Sequence, residues 1–137
     1  MSAYEWFLFG HILGAFLLLA AAGLTTGAAI AAGRSRHAPT VAALLDLQLW
    51  SERVVTSAGA LLVFIFGTLL VDESGHEFSE AWISAAYALL IVGLALDHAV
   101  YLRWVRRARE AARRAGDGPV PEELRRTLSE RAPALVG

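Results

Sequence analysis

The side chains of this chain that could do chemistry are few, and nearly all of them lie inside or beside long apolar runs. His11 is the only strongly polar side chain of 6–33, WFLFGHILGAFLLLAAAGLTTGAAIAAG, which contains no Asp, Glu, Lys or Arg. Glu52 and Arg53 open a second apolar run, and Asp97 and His98 lie near the end of a third. Imidazole titrates near neutrality and binds metals through a ring nitrogen, so His11 or His98 could ligate haem or a metal, or relay protons. The competing reading for each is a histidine hydrogen-bonded within a helical bundle. With no cysteine, thiolate zinc sites, iron–sulfur clusters and disulfides are excluded. No phosphate-binding glycine loop, GxSxG or HExxH is present, no paired catalytic carboxylates are read from the sequence, and the reading leans away from an enzyme.

What must position these groups is a set of membrane helices. The first run has 28 residues, which at helical rise is about 42 Å and more than enough to cross a hydrocarbon core of about 30 Å. It is too long for a signal-peptide core and has no basic residue before it. The run 54–71 holds 18 uncharged residues, about 27 Å of helix. A third helix is expected over 81–104, with Trp82 and Trp104 at its two ends. A backbone in lipid has to satisfy its own amides, so the fold class is all-α, an up-down antiparallel, multi-pass transmembrane bundle. The expected spans are about 6–32, 53–71 and 81–104. They form a transmembrane domain over 1–105, followed by an arginine-rich helical tail over 106–137. Pro39 suits the first turn of the second helix, and Pro121 that of a short tail helix with Leu124, Leu128 and Ala132 on one face. The segment 133–137 reads as the opening of a further apolar segment, a truncated fourth span.

Charge sets the orientation. The chain has twelve arginines and no lysine, and the arginines lie in 34–53 or after the third apolar run, whereas the loop 72–80 has four acids and no arginine or lysine. By the positive-inside rule the N-terminus and the 72–80 loop are outside, with 34–53 and the tail in the cytoplasm of a bacterial inner membrane. Counting rise from the outer ends puts His11 about 8 Å deep, Arg53 about 27 Å, and Asp97 and His98 about 24–26 Å. Arg53, Asp97, Glu52, His98 and Thr25 should therefore form a polar cluster near the inner surface. Within it Arg53 is expected to pair with Asp97, with Glu52 competing and Asp46 as the rival acid; the competing reading has Arg53, Glu52 and Asp97 all snorkelling to inner headgroups and water. The two histidines differ in depth by roughly 18 Å and cannot share one haem. Arginines for haem propionates stand only near His98.

Two further patterns concern partners. Gly10-xxx-Gly14 and Gly23-xxx-Gly27 face nearly opposite ways, so the first helix could pack closely against neighbours on both sides, whether in its own bundle, a homo-oligomer or a partner's helices. The arginines at 103–114 read as a solvated, topology-setting helix that could also meet anionic lipid, and nothing points to nucleic acid.

FGHILGAFL with GLTTG, WSERVVTSAGALL with FGTLL, and AWISAAYALLIVGL together resemble the bacterial integral membrane proteins known as domain of unknown function 2269, over most of 6–105. The resemblance implies a four-helix membrane protein. A more distant likeness is to the HemJ-type haem-binding protoporphyrinogen oxidases and CopD-like copper-resistance domains, which also carry a histidine near the start of the first helix. The HemJ type has a functional lysine after a tryptophan opening the third helix, where this chain has Ala86, and that speaks against the activity. The leading expectation is thus a small integral plasma-membrane protein in the lipid bilayer that packs with partner or self helices. The alternatives are a haem-binding or redox-linked protein using His11 or His98, and a proton or ion pathway through Glu52, Arg53, Asp97 and His98.

Overall fold

The computed structural model describes residues 2–131 and contains four helices. Helix α1 spans Ala3–Arg34, α2 spans Ala38–Ser74, α3 spans Ala81–Arg114 and α4 spans Glu122–Arg131. The first three are long and apolar enough to cross a membrane. Ser2 and Glu5 start α1 with reciprocal side-chain to backbone bonds of 3.3 and 2.6 Å, satisfying amides that the first turn leaves free. Gly75, at φ 72°, ends α2 in the left-handed conformation, and Gly116, at φ 62°, turns the chain after α3. The expected fourth span over 133–137, like Ala132 of the tail face, lies outside the described residues.

Helices α1 and α2 cross closely because glycines let them. A Cβ on Gly14 would stand 2.8 Å from Leu62 Cβ and from the Val63 amide nitrogen, and one on Gly10 would enter the Phe66 ring. Gly59 meets α1 in the same way, its Cβ position being 3.0 Å from the Gly14 carbonyl oxygen. Only hydrogen fits at such a contact. The second glycine pair behaves differently: Gly23 and Gly27 have nothing within 4 Å of their Cβ positions and face outward. The expectation of packing on both sides of α1 is therefore met within this chain on one side.

At the basic end the tail is folded rather than merely solvated. Ala32 of α1, Val41 and Leu45 of α2, Val105, Ala108 and Ala112 of α3, and Leu124 and Leu128 of α4 make one buried cluster. The arginine-rich half of α3 presents alanine and valine inward and arginine outward, with Arg109 and Arg113 (3.1 Å) both bound to Asp46. The two loops also pair through backbone bonds, Ala38 N–H to the Gly118 carbonyl (3.2 Å) and Val120 N–H to that of Arg36 (3.1 Å). Leu45 is fully buried in this cluster. Leu45→Ala is expected to cost about 3 kcal/mol through lost contacts and the cavity left behind. A lower unfolding midpoint in detergent and faster amide exchange in α4 would show it.

Candidate functional site

Two sites stand out, one in each half of the bundle. The first lies toward the basic end, where both α2 and α3 depart from regular α-helix. Each contains a π-helical turn, Glu52–Thr56 in α2 and Asp97–Tyr101 in α3, and each turn opens on a carboxylate. A π turn widens the helix by one residue and re-aims the side chains around it, a device common at functional sites. Between the helices is a cleft of about 640 Å³ walled by Thr25 and Thr26 of α1, Glu52 and Thr56 of α2, and Asp97 and Tyr101 of α3, with leucines around them.

The carboxyl of Glu52 lies against that of Asp97. Glu52 is only 7% exposed, and its Oε2, like Oδ2 of Asp97, has no hydrogen-bond partner. Tyr101 donates its hydroxyl proton to Oε1 of Gln48 at 2.9 Å, and Gln48 is fully buried one turn before Glu52. Thr25 is buried too and spends its proton on the Ala21 carbonyl at 2.9 Å. The cleft thus has two acidic groups and several hydroxyl oxygens, and no arginine in its wall.

The structure groups Glu52, Asp97 and Thr25 as the depth count expected, but not Arg53. Arg53 is exposed and makes no ion pair among the described residues, so the Arg53–Asp97 pair is replaced by Glu52 facing Asp97. The reason is angular: consecutive helical residues point about 100° apart, so turning Glu52 inward turns Arg53 outward. Asp46 is not a rival at this site either, being held by Arg109 and Arg113. His98 points away from the cleft, with a side chain 60% exposed and a ring bonded through Nδ1 to the Leu94 carbonyl at 3.0 Å; Asp97 Oδ2 is 3.8 Å away. Gln48 and Tyr101, passed over in the sequence, belong to the site. Their signal was the spacing of Gln48 and Glu52, four apart and hence on one helix face.

The second site is near the acidic end. His11 bonds through Nδ1 to the Val63 carbonyl at 3.2 Å across the α1–α2 contact, and its ring packs on Gly67. It lines a pocket of about 290 Å³ with Phe64, Trp82, Ala86 and Tyr87 among its walls and no arginine. That volume is at the floor of the roughly 300–1,000 Å³ of ligand pockets, room for a single ring rather than a haem. The pocket beside His11 therefore does not admit a haem, and no three metal-ligating side chains cluster among the described residues.

The pocket's rim is the acidic loop. Glu80, capping α3, accepts from His76 Nδ1 (2.9 Å), Trp82 Nε1 (2.8 Å) and the Glu77 amide (3.1 Å). The His76 bond first, then those of Trp82 and Glu77, hold the Glu80 carboxyl below its ordinary value. Because its folded value is depressed, this order should be fully present above the ordinary carboxylate range and lost as pH falls through the folded value. Trp82 fluorescence is expected to shift on acidification, and Glu80→Gln to remove that shift.

No curated protein and no solved structure matches the chain, and the more distant HemJ and CopD likeness finds no support. A family model described as "Predicted integral membrane protein (DUF2269)" matches residues 6–134. With three helices able to span a membrane and a match over nearly its whole length, the chain belongs to the DUF2269 family of predicted integral membrane proteins.

Proposed function

We propose that this membrane protein moves protons, with Glu52 and Asp97 as the carboxyl pair that takes them up. The observation that carries this reading is the buried Glu52 carboxyl, its Oε2 without a hydrogen-bond partner, facing Asp97 in a cleft with no basic residue in its wall. Two carboxyl groups facing each other between membrane helices call for a counter-charge, which a proton taken up by the pair can supply. Both acids open π turns, so each sits where its helix is locally re-aimed. Tyr101, whose proton goes to Gln48, extends the polar path toward the basic end. The arginine distribution supports an arrangement with the N-terminus outside and the basic end in the cytoplasm of a bacterial plasma membrane, so that the pair loads from the cytoplasmic side. The experiment is proton flux into liposomes holding the purified protein, comparing the parent chain with Glu52→Gln and Asp97→Asn.

A helix-packing role has one observation in its favour, the open Gly23 and Gly27 edge of α1, which leaves room for a second copy or a partner helix.

A further inference from the structure

The pocket beside His11 has a hydrogen-bonding polarity that narrows what can occupy it. The Val63 carbonyl can only accept, so His11 donates to it from Nδ1 and Nε2 is the ring nitrogen left for a guest. Thr68 gives its proton to the Phe64 carbonyl at 2.7 Å, so in the 2.6 Å contact between Thr68 and Tyr87 the tyrosine is the donor. Tyr87 keeps only acceptor capacity. Ser74 likewise spends its proton, on the Val71 carbonyl at 3.2 Å. Inside the pocket, His11, Tyr87, Ser74 and His76 each have a donor committed, that of His76 to Glu80 at 2.9 Å, and each keeps acceptor capacity; Tyr4 stands at the mouth, 44% exposed. These groups favour a guest that brings the proton.

The rest of the wall says what carries that proton. Phe64 and Tyr87 meet edge to face at 5.6 Å, and His76 and Trp82 do so at 5.5 Å, so the space is bounded by ring edges and faces that favour another aromatic ring. Its volume of about 290 Å³ admits one ring with a short substituent. Most of the wall is apolar, with Val63, Leu70, Val71, Ile83 and Leu90 beside the rings, and this favours an apolar guest.

We infer that this pocket binds a lipid-soluble hydroxyaromatic, a phenol or quinol-type ring whose hydroxyl donates to His11 Nε2 while the ring lies among Phe64, Trp82 and Tyr87. The inference uses no part of the Glu52–Asp97 cleft and stands apart from the proton-moving reading.

The test titrates 4-propylphenol, its methyl ether 4-propylanisole and cyclohexanol into the full chain in lipid nanodiscs, following tryptophan emission, with empty nanodiscs correcting for partition. Saturable binding of the phenol is expected, with the ether and cyclohexanol each about tenfold weaker, since one loses the donor and the other the ring. His11→Leu should remove the preference for phenol over ether. Ala86→Phe, which fills the pocket and leaves the polar groups in place, should remove binding of all three while Asp97→Asn leaves it unchanged. Equal binding of phenol and ether, saturation that survives Ala86→Phe, or no saturation above the lipid background would each overturn the inference.

Discussion

Liposomes carrying Glu52→Gln are expected to take up protons about a hundredfold more slowly than those carrying the parent chain, the scale of losing a positioned proton-transfer group. Glutamine keeps the shape and hydrogen-bonding reach of glutamate, so the packing around this buried position, 7% exposed, is retained while the exchangeable proton is lost. Asp97→Asn is expected to give the same loss, and the double variant no more than either alone, because two members of one relay fail together. Arg53→Gln distinguishes the observed geometry from the one the sequence led us to expect. Exposed and facing away from the cleft, Arg53 should be replaceable with flux intact, whereas an Arg53–Asp97 unit would lose it. Flux unaffected by both carboxyl substitutions would remove the pair from any transport role.

A large effect on stability is expected at the α1–α2 crossing. Gly14→Leu places a branched side chain where even a Cβ stands 2.8 Å from the Val63 backbone nitrogen and 2.9 Å from the Gly59 carbonyl oxygen. Backbone atoms of a membrane helix cannot step aside without moving the helix, so the two helices must separate. A cost of about 3 kcal/mol is expected, at the upper end for overpacking. It would appear as a fall in the denaturant midpoint of the detergent-solubilised protein. The separation would also pull Val63 from His11, which lies on α1 one residue after Gly10. Gly27→Ala is the control: its Cβ position is open, and alanine in a helix interior gains about 0.5–1 kcal/mol over glycine. Destabilisation by Gly27→Ala in lipid, with none in detergent, would mark that edge as an interface with another helix.

Three membrane helices, their antiparallel order and the basic and acidic ends were legible in the sequence, because an apolar run of sufficient length has one way to satisfy its backbone in lipid. The near depth of Glu52, Asp97 and Thr25 followed from counting rise, and the glycine spacing at 10 and 14 announced a close contact. Pro121 and the leucines at 124 and 128 likewise announced α4. What the sequence could not supply was azimuth. Glu52 and Arg53 are neighbours, equally polar and equally deep, and composition does not say which one turns inward.

That choice depends on the π turns at Glu52–Thr56 and Asp97–Tyr101, and no residue pattern in either stretch announces them. It depends also on where α2 lies against α1, which Gly14 and Gly59 set from some distance along the chain. The folding of α4 onto Ala32 and Leu45, and the pocket between His11 and Trp82, arise in the same way from contacts between segments remote in sequence. Sequence alone therefore determined position along each helix, because rise per residue is a local property of a helix. Facing is a property of how helices pack, and only the tertiary structure decided it.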